Sequence, residues 1–345
     1  MQYAWPHPSR RYLYVASSDG FGRLCERHHL TAFRIEAGSG ALAAHGEPVP
    51  LPARPIHVCV DALGEYLITA YPRPSSITVH RLDADGRIGA EVTQSSDLDT
   101  GIYAHQVRVT PSNRGVVLVT RGNNPTLNTP EDPGALKVMS MVGGQLAARA
   151  SVAPNDGYGF GPRHLDFHSR SPWVYVSVER QNLLLTFEIT ADDSLPALPR
   201  FASSTLDDPA RAGERQGPSA VHVHPNGEFV YVSNRSDISN ETAGPGEDDI
   251  AVYAIDASNG EPRLIQHVDA HTIHVRTFSI DSSGRLLIAA GLRSNDPPDG
   301  AGAQPIAAGL SAFRIDAAGK LEFVRKYEVE TEGQLMFWSG MVAPA

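Results

Sequence analysis

A strand, a tight turn and a second strand recur along this chain at a nearly fixed spacing, and this repeat limits the possible folds more than any other feature. One copy is Gly161-Pro162-Arg163-His164-Leu165-Asp166-Phe167-His168, followed after a turn by Trp173-Val174-Tyr175-Val176-Ser177-Val178-Glu179. Five further copies align on the turn. Their equivalent positions are Gln2, Ile56, His105, Arg163, Ser219 and Arg276, with successive spacings of 54, 49, 58, 56 and 57 residues. Most copies continue into a third strand, such as Thr31–Ile35, Leu184–Ile189 or Leu310–Ile315, and then a weak fourth after an Asp/Ala/Gly turn. The apolar periodicity is that of strands, with no sustained 3.6-residue period, so the chain reads as all-β. Four antiparallel strands every ~50 residues define the blade of a β-propeller rather than the coil of a solenoid.

The pattern gives one propeller domain over residues 1–345, with six complete four-strand repeats. Gln334 to Met341 reads as one more first strand with no second, so the ring has either six blades with an extra strand or seven with one blade incomplete, and the second reading suggests a lost or misassigned N-terminus. Three segments break the period: Asn123 to Gly134, Arg235 to Asp249, and Leu292 to Ala308. All come after a second strand, at one end of their blades, where loops rim a pocket.

Composition narrows the function. The net charge of -10 argues against nucleic acid and anionic membranes as partners. No apolar run is long enough to span a bilayer, and Met1 to Arg11 has no apolar core of a signal peptide. Only Cys25 and Cys59 are present, and such scarcity fits two buried thiols in a reduced, cytoplasmic protein.

First strands line the axis of a propeller, so residues at one repeat position gather near one channel mouth. His105, Arg163 and Arg276 each end an otherwise apolar strand face, where a charge is costly unless paired or solvated. Glu179 ends the second strand of the Arg163 copy, within reach of that strand's start. The structural alternative is an Arg163–Glu179 pair that only joins two strands. His222 with His224, His271 with His274, and His28 with His29 resemble ligand pairs but lack a matching carboxylate spacing, so no metal and no other cofactor is expected. Phosphate-loop, dinucleotide and nucleophile-elbow motifs are absent.

Gly161-Pro162-Arg163-His164-Leu165 with Phe167-His168 and the later Glu179, Ala104-His105 ahead of Pro111, Arg276 with Phe278 and Asp281, and Leu287-Ile288-Ala289-Ala290-Gly291 together resemble a known family. It is the seven-bladed β-propeller lactonases typified by bacterial 6-phosphogluconolactonase, with fungal 3-carboxy-cis,cis-muconate lactonizing enzyme as a relative. The resemblance runs from Gln2 to Met341. It implies seven blades, with strands ahead of the first repeat, and an active site lined by His105, Arg163, Glu179 and Arg276. The chain departs from the family at Thr120-Arg121-Gly122-Asn123-Asn124, where an Asp-Leu-Gly-like segment is usual, and in its longer loops.

The expected activity is hydrolysis of a sugar-acid lactone without a metal. Glu179 or His105 serves as general base, and Arg163 and Arg276 hold the substrate anion and the oxyanion. His57 and Ser219 are expected as further substrate contacts. A lactonizing cycloisomerase needs the same groups and is the alternative enzyme; a propeller scaffold for protein partners leaves the ring of Arg, His and Glu without a reason. The expected partner is a small anionic lactone, whose charged group is a phosphate or a carboxylate. Oligomeric state is not legible in the sequence.

Overall fold

The computed structural model describes residues 1–20, 27–211, 216–236, 246–294 and 305–342. Six antiparallel sheets succeed one another along the chain, each with its strands in sequence order. The first holds β1 (Tyr3–Pro6), β2 (Tyr12–Ser18), β3 (His28–Ile35) and β4 (Leu42–Ala44), with the short β5 (Val49–Pro50) also on β3. The second holds β6 (His57–Val60), β7 (Tyr66–Pro72), β8 (Ser75–Leu82) and β9 (Ile88–Glu91), and the third β10 (Ala104–Val109), β11 (Gly115–Thr120), β12 (Ala135–Val142) and β13 (Gln145–Val152). The fourth holds β14 (Pro162–Phe167), β15 (Trp173–Val178), β16 (Leu183–Glu188) and β17 (Phe201–Ser204). The fifth holds β18 (Gln216–Val223), β19 (Phe229–Ser236), β20 (Asp249–Ile255) and β21 (Pro262–Asp269), and the sixth β22 (Val275–Ile280), β23 (Leu286–Gly291), β24 (Gly309–Ile315) and β25 (Leu321–Glu328). The chain is thus an all-β propeller with the four-strand blades that the repeat requires.

The residues group into two compact units, Met1–Arg163 with Ile189–Leu198, and His164–Glu188 with Pro199–Met341. Within the first unit, Cys59, Ile68 and Val79 of the second sheet pack against Val107, Val116, Leu118 and Met139 of the third. Within the second, Trp173, Tyr175 and Leu184 meet Val221, Val230 and Val232. Phe229 and Tyr231 likewise meet Phe278, Leu287 and Phe313. The second strand of a blade is covered on both faces, which is why β11 and β15 read as continuous apolar runs rather than alternating ones.

A recurring contact links consecutive sheets inside each unit. An aromatic residue opens the second strand, and the glycine of the next sheet's outer hairpin turn lies on its ring. Gly260 has φ 80° and Gly319 φ 78°, and a Cβ there would come within 2.5 Å of Trp173 and 2.3 Å of Phe229. Glycine is required twice over, by backbone and by space. Two residues further on, a buried tyrosine hydroxyl donates to the carbonyl of the same glycine: Tyr14 to Gly86 at 2.9 Å, Tyr175 to Gly260 at 2.9 Å, and Tyr231 to Gly319 at 2.8 Å.

Two sequence expectations need correction. Gln334 to Met341 forms no strand; its backbone is held instead by Met336 N–H donating to Leu292 O at 2.9 Å and Ser339 N–H donating to Thr277 Oγ1 at 3.1 Å. The loop expected from Arg235 begins later, because β19 runs on to Ser236 through pairing of Gly217 with Arg235 and Gln216 with Ser236. Most of that segment, 237–245, lies outside the described residues, as do 295–304 of the loop after Leu292 and Cys25. Cys59 is a buried free thiol.

Candidate active site

The repeat position singled out in the sequence is a β-bulge. On β10 the register shifts between Ala104 and Gln106, so His105 is the extra residue; on β22 it shifts between Val275 and Thr277, so Arg276 is. On β18 the shift spans Ser219 and Ala220. A bulge re-aims its side chain out of strict alternation, and this is how a polar group ends an apolar face. In the second unit serines of the neighbouring strand satisfy the displaced backbone. Ser233 Oγ accepts from Ala220 N–H at 3.1 Å, and Ser177 Oγ accepts from His164 N–H at 3.2 Å while donating to Ser219 O at 2.8 Å.

The end of the second strand is the other recurring position. The segments Gly115–Arg121, Trp173–Glu179 and Phe229–Arg235 are equivalent by repeat, so Arg121, Glu179 and Arg235 hold one position in three successive sheets. Arg235 and Arg121 are not among the residues expected from the sequence. The signal for both is present there: each stands where Glu179 stands in its own copy.

In the second unit Glu179 and Arg235 form a close ion pair. Arg235 Nη2 donates to Glu179 Oε1 at 2.5 Å, and Arg235 Nη1 lies 2.8 Å from His274 Nε2. The side chains of Arg235 and Glu179 are 10% and 20% exposed, so the pair is largely desolvated yet reachable. His274 Nδ1 is 2.7 Å from Ser236 O, a pure acceptor, and must carry the hydrogen there. Its Nε2 therefore accepts from the guanidinium, and the ring is neutral in this arrangement. His274 has φ 53°, a rare conformation for such a residue. Asp248 holds it in place: Oδ1 accepts from His274 N–H at 2.6 Å, and the carboxylate also takes the Ser236 hydroxyl at 2.5 Å. Burial pushes the Asp248 carboxyl above its ordinary pKa, against those hydrogen bonds.

The other expected residues are spread over both units. In the second unit, Ser219 is fully buried and its hydroxyl donates to Arg276 O at 2.8 Å. Arg276 stacks its guanidinium 4.9 Å from the Phe337 ring centre. In the first unit, Arg163 is the second residue of β14 and is only 2% exposed. His105 is buried and lies parallel to Tyr103, with ring centres 6.3 Å apart. His57 is fully buried, its ring tilted against those of Tyr3 and Trp5, with ring centres 4.0 and 5.8 Å away.

The histidine pairs do not converge as metal ligands. His224 Nε2 donates to Gly284 O at 2.8 Å and its Nδ1 accepts from Asn226 N–H at 3.2 Å, His222 stands edge-on to Phe278, and His271 packs 3.8 Å from the ring of Phe323. Among the described residues one group has metal-like spacing, Glu247, Asp249 and His267. Its carboxylates accept from protein groups, Glu247 from the backbone N–H groups of Asp207 and Asp208, and Asp249 from His267 Nδ1 at 2.6 Å and Asn234 Nδ2 at 2.7 Å, while His267 Nε2 is buried without a hydrogen-bond partner.

A chain of propeller blades with Arg, His and Glu at the strand ends defines a class, and comparison with known proteins gives it a name. Residues 2–296 match the model of the seven-bladed β-propeller lactonases, and the chain belongs to that family. It is similar to the 6-phosphogluconolactonases of Serratia proteamaculans and Sodalis glossinidius, with 28% identity to each, over 98% of this chain and 87% of each relative. Solved structures share the fold. A Pseudomonas aeruginosa periplasmic gluconolactonase superposes with a TM-score of 0.70 at 20% identity, covering 97% of this chain and 86% of that one. A Lactobacillus plantarum protein gives 0.69 at 20% identity, covering 94% and 84%.

Proposed function

We propose that the protein hydrolyses a sugar-acid lactone of the 6-phosphogluconolactone type, with Glu179 as general base. The observation that carries this is the Glu179–Arg235–His274 chain, a partly exposed carboxylate on a guanidinium that is itself held by a neutral imidazole. Glu179 accepts a proton from water as the oxygen attacks the lactone carbonyl. Negative charge builds on the carbonyl oxygen, and N–H donors of the Arg235 fork not engaged by Glu179 or His274 stabilise it. The tetrahedral intermediate collapses with cleavage of the ring C–O bond, and the proton on Glu179 passes to the leaving ring oxygen, giving a hydroxy acid. No step of this mechanism uses a metal.

The test is pH-stat hydrolysis of 6-phosphogluconolactone, gluconolactone and a carboxylated muconolactone, before and after dialysis against a chelator. Turnover of at least one, unchanged by the chelator and reduced about 10²-fold or more in Glu179→Gln, is expected. Glu179→Gln activity within twofold of the parent would show that another group is the base.

A further inference from the structure

Glycine at position 217 stands where strand chemistry alone gives no reason for it. β18 opens Gln216-Gly217-Pro218, and neither glycine nor proline favours a strand. The equivalent residue of the preceding copy, Gly161, has φ 48°, and that left-handed backbone accounts for a glycine there. Gly217 has no such need, because its backbone lies outside the left-handed region.

What Gly217 provides is space. A Cβ there would come 3.1 Å from Glu179 Cγ, where carbon atoms in ordinary contact keep about 3.5–4.0 Å. It would come only 2.7 Å from Glu179 O. The same position faces Arg235, its direct partner in the pairing of β18 with β19. Residues directly opposite in an antiparallel pair project to one face, so the Arg235 side chain rises on the face that Gly217 leaves bare. Glu179 follows directly after β15 of the preceding sheet. Carboxylate and guanidinium thus meet beside Gly217, with Arg235 Nη2 2.5 Å from Glu179 Oε1. The guanidinium cannot follow a displaced carboxylate freely, because Nη1 is held at 2.8 Å from His274 Nε2.

We propose that Gly217 is a positioning residue of the active site: its missing side chain is the space in which Glu179 is held against Arg235. The catalytic consequence rests on the lactonase reading above, in which Glu179 is the base; the placing of Glu179 does not.

Gly217→Ala and the bulkier Gly217→Val are compared with the parent. In pH-stat kinetics on the best lactone, kcat of Gly217→Ala is expected to fall about tenfold or more with KM within about twofold, because a misplaced reacting group acts on the chemical step. Gly217→Val is expected to lose more. In a Glu179→Gln background, Gly217→Ala should cost less than about threefold, since both changes act through one carboxylate. Nitrogen-15 NMR gives a readout free of turnover. The Arg235 Nη1 and Nη2 signals, identified with Arg235→Lys, are expected to be separate in the parent, where different partners hold them, and to merge in Gly217→Ala as the bond to Glu179 is lost. If no lactone is hydrolysed while the NMR change appears, the lactonase reading fails and the placing of Glu179 by Gly217 stands. Unchanged Arg235 signals in Gly217→Ala, kcat within threefold of an active parent, or an undiminished loss in the Glu179→Gln background would overturn the proposal. Failure of Gly217→Ala to melt cooperatively would assign the glycine to packing alone and overturn it as well.

Discussion

Replacing Arg235 by lysine isolates what the planar fork contributes. Arg235 reaches Glu179 Oε1 and His274 Nε2 through two different terminal nitrogens, at 2.5 and 2.8 Å. A lysine ammonium is a single point and cannot span both acceptors at those lengths. The charge that compensates Glu179 survives, but one charge-assisted hydrogen bond is lost. Such a bond contributes about 1.5–3 kcal/mol. At 1.36 kcal/mol per decade, kcat/KM falls roughly 10- to 150-fold. His274→Leu removes the same bond from the other side and is expected to cost a similar factor. The double variant then loses much less than the product of the single losses, because both break one contact. His274→Gln, whose side-chain carbonyl can accept from Nη1, restores part of the rate. The assay is pH-stat initial rate on the best lactone, with melting temperature measured alongside. Activity of Arg235→Lys within threefold of the parent, or strictly multiplicative losses in the double variant, would refute the argument.

The fold sets further expected outcomes. Tyr175→Phe removes the hydroxyl bond to Gly260 O and should lower stability by about 1 kcal/mol in denaturant titration, while Gly260→Ala, with its Cβ driven into Trp173, should cost more. Burial disfavours charge on His267, but the hydrogen bond and charge of Asp249 outweigh it and raise its pKa above the ordinary 6.5. A raised folded-state pKa stabilises fully below the unfolded value, and this share is lost as pH rises through the folded one; melting temperature should therefore fall above about pH 6.5, with a smaller slope in Asp249→Asn. Burial pushes the Cys59 thiol up to about 12, so in a Cys25→Ser background it should react with an aromatic disulfide reagent at pH 8 only on unfolding.

The blades are legible in the sequence because each turn carries its own signature, and strand-turn-strand copies at one spacing leave few alternatives. His105 and Arg276 are legible for the same reason, although the bulges that aim them leave no mark in the sequence. Arg235 is hidden by its neighbours. Gly, Ser and acidic residues crowd the segment on its C-terminal side, so it reads as the first loop residue, whereas pairing with Gly217 keeps it on the strand. His274 stands out in the sequence for the wrong chemistry. Its spacing from His271 suggests a ligand pair, but a positive φ and the grip of Asp248 turn its ring to Arg235. Neither contact can be read from periodicity, because one joins strands through Gly217 and Arg235 and the other joins Arg235 to a residue 39 positions away.

The tyrosine-to-glycine contacts between sheets have a direction. Tyr14, Tyr175 and Tyr231 each reach forward along the chain, from one sheet to the outer turn of the next. These sheets thus behave like overlapping roof tiles, the second, fifth and sixth each pinned by its predecessor. Damage to one tyrosine loosens the sheet after it before the sheet that carries it, so hydrogen exchange in Tyr175→Phe should quicken first in the hairpin around Gly260. The fifth sheet carries both halves of this fastening, its own pin in Tyr231 and, in Gly260, the glycine that receives one.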